Sequence, residues 1–189
     1  MLTIYTGIII ACWVAFILFW FVSAFSMKRT IRNPATGWGF LIRVGILIAV
    51  VLVVHFVAPD VSLKPGWGEA DPLWGAVGDA LAIAGVAIAI WARAILGRNW
   101  GMPMSVKEKP DLITSGPYHV VRHPIYSGVI LALLGSAFIM GVWWFIVFIV
   151  GSLYFVYSAR KEEELLSKEF PNDYPAYKKR TSALVPFVY

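Results

Sequence analysis

Between Met1 and Lys28 the chain carries no charged side chain, and that run fixes the solvent in which the protein folds. A helix of about 20 mostly apolar residues crosses the hydrocarbon of a bilayer. There every backbone polar group must be bonded within its own helix or a closed barrel. Leu2–Phe25 is long enough. No basic residue precedes it and Lys28, Arg29 and Arg32 follow it, so it reads as a span and not as a cleaved signal peptide. Three more apolar blocks follow: Trp38–Ala58, with Arg43 and His55 towards its ends, Leu73–Leu96 and Ile125–Tyr157. The last is too long for one crossing, and Gly141 near its middle divides it into a helical hairpin. The expected fold is all-α: a polytopic helical membrane protein with five transmembrane helices. The third span is rich in small residues, Gly75, Gly78, Ala82, Gly85 and Ala89, which let helices approach closely in lipid.

Composition agrees. The chain is 59% hydrophobic and 14% charged, with a mean hydropathy of +0.73, where soluble domains average about 45–50% apolar and about 25% charged. A small soluble globule could not bury so much, and disorder is excluded by the same figures. The single cysteine, Cys12, allows no disulfide within the chain and no zinc spacing.

The net charge of +5 reports topology rather than nucleic-acid binding. Lys28, Arg29 and Arg32 lie between spans one and two. Arg93, Arg98, Lys107, Lys109 and Arg122 lie around the loop after span three, and Arg160, Lys161, Lys168, Lys178, Lys179 and Arg180 follow span five. Asp60, Glu69 and Asp71 dominate the loop before span three. With five spans every basic cluster falls on one face, so the N-terminus lies outside and the C-terminus in the cytoplasm. The short length and the absence of organelle signals point to a prokaryotic inner membrane.

Two polar segments remain for chemistry, about 97–124 and 160–189, both cytoplasmic. In the first, Gly116-Pro117 sets a turn and Pro124 suits the first turn of a helix. That leaves His123 at the cap and Tyr126 one turn on. A helix start offers unpaired N–H groups and a positive dipole end, suited to a carboxylate or phosphate. The same residue types also serve as interface anchors. In the second, Glu162, Glu163 and Glu164 are consecutive, so they point about 100° apart on a helix. Two can face a pocket while the third faces water, or all can pair with Arg160, Lys161 and Lys168. Asn99 and Trp100 close the third span, as interfacial anchors or as contacts for an incoming substrate. His55, Asp79 and Arg43 have no evident partner. His119 and His123 are too few for a metal site, so no metal is expected.

Leu96-Gly-Arg-Asn-Trp100, Leu112-Ile-Thr-Ser-Gly-Pro-Tyr118, Arg122-His-Pro-Ile-Tyr126 and Glu162-Glu-Glu-Leu-Leu166 together resemble the isoprenylcysteine carboxyl methyltransferase family, relatives of the membrane phospholipid methyltransferases. Phe170, Tyr174, Tyr177 and Leu184-Val-Pro186 extend the likeness, which covers about residues 96–187. The resemblance implies a polytopic enzyme that holds S-adenosylmethionine in a cytosolic cofactor pocket. Its cofactor contacts would fall at Leu112, Ile113, Tyr118, Arg122, His123, Pro124, Tyr126, Glu162 and Glu163, and its substrate contacts at Asn99, Trp100 and Arg160. The implied organisation is residues 1–96 as three N-terminal spans and residues 97–189 as the methyltransferase core.

The implied partners are membrane lipid and a lipophilic small-molecule acceptor of the isoprenylcysteine carboxylate kind. A phospholipid amine, a small thiol and a non-catalytic scaffold of the same fold are the alternatives. The prenylcysteine enzymes carry a substrate-contacting arginine four residues before the first glutamate of the pair. Here Ser158 holds that position and Arg160 is the nearest cation. Methyl transfer is an in-line displacement that chiefly needs alignment, and a carboxylate or thiolate acceptor needs no strong base.

Overall fold

The computed structural model describes residues 3–25, 30–32, 66–100, 106–107 and 111–188. The expected second span, 38–58, and with it Arg43 and His55, lies outside the described residues. Those described are mostly helical. Helix α1 (Ile4–Ala24) starts at a Thr3 cap that accepts from the Thr6 N–H. It leads to strand β1 (Thr30–Arg32). A four-residue helix α2 (Trp67–Ala70) precedes the long α3 (Pro72–Leu96). Asp71 caps α3 by accepting from the Leu73 N–H, and Pro72 enters its first turn, where a missing donor matters least. Strand β2 (Val106–Lys107) pairs antiparallel with β1, a small sheet that the all-α reading did not include. Helices α4 (Pro124–Met140) and α5 (Val142–Glu169) follow, then the short α6 (Tyr174–Arg180).

Gly141 separates α4 from α5 at φ 91°, a backbone conformation that glycine adopts without strain. Among the described residues, three helices are long and apolar enough to cross a membrane: residues 4–23, 72–99 and 142–169. Helix α4, at 17 residues, is about 25 Å long and falls short of the hydrocarbon thickness. Helix α5 outruns it, carrying the chain past the apolar block into Arg160–Glu169.

Contacts at the two ends set the directions. At one end Glu69 Oε1 accepts from Thr6 Oγ1 at 2.5 Å and Thr3 Oγ1 at 3.1 Å, and the Gly66 N–H reaches the Ile139 carbonyl at 3.0 Å. At the other, Arg93 donates to the Ser23 and Gly97 carbonyls, both at 2.8 Å. Helices α1 and α3 therefore run parallel, with α4 antiparallel to both. The α3/α4 seam is built from small residues at matching intervals. Gly85 faces Gly128 and Gly78 faces Gly135, so closely that an added Cβ at Gly85 would stand 2.4 Å from the Gly128 carbonyl oxygen. Backbones that close gain their stability from van der Waals packing, which lipid cannot match. Helix α1 is tied to α4 in turn, Trp13 donating to Ser136 at 3.0 Å.

Candidate functional site

The seam fixes α4, and the Gly141 turn brings the charged C-terminal part of α5 back beside the start of α4. Gly116, at φ 59°, begins a 3₁₀ turn (Gly116–His119) that rests against Ile95 at the end of α3. Val121 then pairs in parallel with Ser182. Arg122 and His123 donate their N–H groups to the Ser182 and Ala183 carbonyls at 2.9 and 3.0 Å, and Ser127 Oγ donates to the Leu184 carbonyl at 2.5 Å. The α4 start, which the sequence marks as a seat for an anion, is thus shared with the C-terminal tail. His123 is the α4 cap residue but makes no side-chain cap bond. Its ring turns to α5 instead.

There the charges converge. Arg122 Nε meets Glu163 Oε1 at 2.7 Å, Lys178 Nζ meets Glu163 Oε2 at 2.6 Å, and His123 stands between the two acids. Its Nδ1 lies 3.4 Å from Glu162 Oε2 and its Nε2 3.7 Å from Glu163 Oε1. Tyr126 donates to Glu162 Oε1 at 2.5 Å and stacks on the His123 ring at 5.5 Å. Arg122 Nη1 also donates to the Thr181 carbonyl, and to that of Lys178 at 3.2 Å. Arg122 and Glu163 are nearly buried, with side chains 8% and 11% exposed, so neither charge could lose its partner cheaply.

Burial disfavours a charged His123 imidazole, but the negative charge of Glu162 and Glu163, 3.4 and 3.7 Å away, outweighs it and raises its pKa above the ordinary value. Burial pushes the Tyr177 phenol up to about 12, which keeps it a donor; it bonds the Tyr118 carbonyl at 2.7 Å. Tyr118 and Tyr174 are raised too, again first by burial.

Beside this cluster a cleft of about 460 Å³ opens between α5, α6 and the tail, lined by Arg122, Arg160, Glu163, Lys178, Thr181 and Phe187 among others. Of the residues singled out from sequence, Arg122, Arg160 and Glu163 line it. His123, Tyr126 and Glu162 stand behind Arg122 and Glu163 in the same ion cluster, with Pro124 buried in the first turn of α4. Tyr118 is buried under Tyr177. Leu112 and Ile113 lie half-buried in the stretch ahead of the 3₁₀ turn and do not line the cleft. Asn99 and Trp100 lie elsewhere as well: Asn99 Oδ1 accepts from the Asp111 N–H at 3.2 Å, and Trp100 lies under the Arg93 guanidinium at 4.8 Å and edge-on to Trp20. Sequence reasoning missed Lys178 and Thr181. Tail residues carry no register until the 121–182 pairing sets it, although the run Lys178–Arg180 was visible as charge.

The family model for phospholipid methyltransferases matches residues 73–173, from the first turn of α3 to the turn before α6. Two curated relatives are similar. The nickel-cobalt-cadmium resistance protein NccN of Alcaligenes xylosoxydans xylosoxydans is 29% identical over 166 residues, covering 85% of this chain and 73% of that protein. The cobalt-zinc-cadmium resistance protein CzcN of Cupriavidus metallidurans is 31% identical over 96 residues, covering 49% of this chain and 44% of its own length.

Proposed function

The chain belongs to the phospholipid methyltransferase family, and from that membership we propose that it is an integral membrane enzyme that takes methyl groups from S-adenosylmethionine and passes them to a lipophilic acceptor. One observation carries the reading. Arg122-His123, just ahead of α4, and Glu162-Glu163 of α5 form a single ion cluster beside a cleft of about 460 Å³, within the common size range for small-molecule sites.

The donor set suits this cofactor. Arg122, Arg160 and Lys178 at the cleft would hold its carboxylate, and Glu163 with Glu162 behind it would take the ammonium or ribose hydroxyls. S-adenosylmethionine supplies an electrophilic methyl group on a sulfonium. The chain's part is to orient and to exclude water. His123, pinned between two acids, holds both carboxylates towards one side. The tail, bonded to Arg122 and His123, closes the other.

The cations of the cleft favour an acceptor with an anionic group, as in an isoprenylcysteine carboxylate. Family membership favours a second reading, a phospholipid amine. Turnover with labelled S-adenosylmethionine on extracted lipids, prenylcysteine analogues and small thiols separates these and the thiol alternative. Titration calorimetry of the purified protein in detergent tests the cofactor. Binding that weakens in His123→Ala and Glu162→Ala supports the site, wild-type affinity in both removes it, and no binding by the native chain makes it a scaffold. The names of the two relatives motivate one further arm, growth on nickel, cobalt or cadmium with and without expression of the chain. A protective effect that is lost in His123→Ala and Glu162→Ala would run through the methylated product.

A further inference from the structure

The tail that closes the cleft carries apolar side chains that stand exposed. Val185, Phe187 and Val188 are 51%, 97% and 81% exposed. Phe187 sits at φ 64°, uncommon for a bulky residue. This strained turn is held by the Phe187 N–H on Ser182 Oγ at 3.0 Å and the Val188 N–H on the Val185 carbonyl at 3.2 Å. It directs an aromatic ring outward rather than into the core. Elsewhere in the chain such exposure marks faces built for lipid, as at Phe21 and Leu153, 65% and 66% exposed.

The depth of the tail is set by its bonds. Leu184 is bonded to Ser127 in the first turn of α4, and Phe187 and Val188 line the cleft at the level of Ala159–Glu163, where α5 changes from apolar to charged. That level is a membrane boundary. One short helix away, Lys178, Lys179 and Arg180 follow one another in the last turn of α6, all exposed.

We infer that the Val185–Val188 turn is an interfacial anchor: Phe187 and Val188 dip into the leaflet on the cleft side while Lys179 and Arg180 engage anionic lipid headgroups. The cleft mouth then opens along the bilayer surface, and its outer wall is lipid. Apolar side chains with flanking cations are the chemistry that binds an anionic interface, and each basic side chain near such a leaflet is worth about fivefold in partitioning. The inference needs only that α4 and α5 sit in a membrane; it does not depend on methyl transfer.

Cys12 is the only cysteine, so a Cys12→Ser background accepts a single nitroxide label through Phe187→Cys. Collision with oxygen, which concentrates in lipid, and with a water-soluble paramagnetic chelate then reports depth. Leu153→Cys serves as the lipid reference and Asn172→Cys as the aqueous one. In nanodiscs of phosphatidylcholine with phosphatidylglycerol, the label at 187 should favour oxygen. Lys179→Gln with Arg180→Gln should lower its interfacial partitioning by about 25-fold, two charges' worth, and nanodiscs of phosphatidylcholine alone should act in the same direction. A label at 187 open to the chelate in both lipids overturns the inference. So does a label shielded from both reagents, which would place the tail against protein, and so does an oxygen preference indifferent to lipid charge and to the two glutamines.

Discussion

Glu163 and Glu164 are neighbours on one helix, and both are ion-paired. Their removal should nevertheless have very different consequences. Glu164 pairs with Lys161 at 3.0 Å with side chains 58% and 43% exposed, and an exposed pair of this kind contributes between nothing and about 1 kcal/mol. Glu163, 11% exposed, is shared by Arg122, Lys178 and His123. Glu163→Gln leaves the guanidinium of Arg122 buried without its counter-charge, a loss of the class that costs about 3–5 kcal/mol. The half-exposed Lys178 can turn to water, and Arg122 keeps its bonds to the Thr181 and Lys178 carbonyls, so the lower end, about 3 kcal/mol, is the working figure.

The loss has a local readout. The tail is tied to the start of α4 by the amides of Arg122, His123 and Ser182, which bond the Ser182, Ala183 and Val120 carbonyls. Hydrogen exchange of these amides in nanodiscs should accelerate by about two orders of magnitude in Glu163→Gln, while α3 amides keep their protection. Glu164→Gln should change neither. Equal effects from the two substitutions, or intact protection at Ser182 in Glu163→Gln, would refute the view that a buried ion cluster holds the tail.

Three further outcomes follow from the same geometry. Because the folded His123 pKa is raised, its contribution to tail docking is fully present below the unfolded value of about 6.5 and is lost as pH rises through the higher folded value. Protection of the Ser182 amide should therefore decline as pH rises through that higher value, and His123→Gln should flatten the profile. Gly85→Ala should destabilise by about 1–3 kcal/mol, because its Cβ would meet backbone atoms of Gly128 and Ala132 within about 2.5 Å. Gly7→Ala, where nothing stands within 4 Å, should be neutral or stabilising by about 0.5–1 kcal/mol; thermal melts in detergent compare the two. Arg93→Met should loosen both helix ends that its guanidinium bonds, and faster exchange of amides near Ser23 and Gly97 checks it.

The features legible from sequence are those that depend on local chemistry. Gly141 in an overlong apolar block locates the hairpin turn because a left-handed φ at a helix junction favours glycine. Pro124 locates the start of α4 because a proline there removes a donor the helix does not use. The meeting of Arg122-His123 with Glu162-Glu163 is legible only as a resemblance, since no spacing rule joins residues across a hairpin. Lys178 was out of reach for the same reason: it arrives through a parallel pairing of Val121 with Ser182 that leaves no mark in composition. Arg93 was misread. A cation near the end of an apolar run reads as a boundary charge, yet it is 2% exposed; it donates to carbonyls at the ends of two helices. Asn99 and Trp100, open in sequence to anchoring or to substrate contact, lie away from the cleft: Asn99 accepts from the Asp111 amide, and Trp100 packs against Arg93 and Trp20.

These placements assign α3 a part in the site that motif reading leaves out. The family match begins at Leu73, in the first turn of that helix, well ahead of the residues that carry the charges. A purely anchoring span would need only to be apolar. This one presents Gly78, Ala82, Gly85 and Ala89 to Gly135, Ala132 and Gly128, and so fixes how far along its axis α4 lies. His123 caps α4, and its ring must fall between two carboxylates on α5 within fractions of an ångström to serve both. Sliding α4 by one residue would move that ring about 1.5 Å and lose at least one contact. The same helix supports the approach to the motif, since Ile95 lies against Gly116 and the Arg93 guanidinium lies over the Trp100 ring. Small residues at fixed intervals on α3 thus act at a distance as positioning residues for a cluster that they never touch.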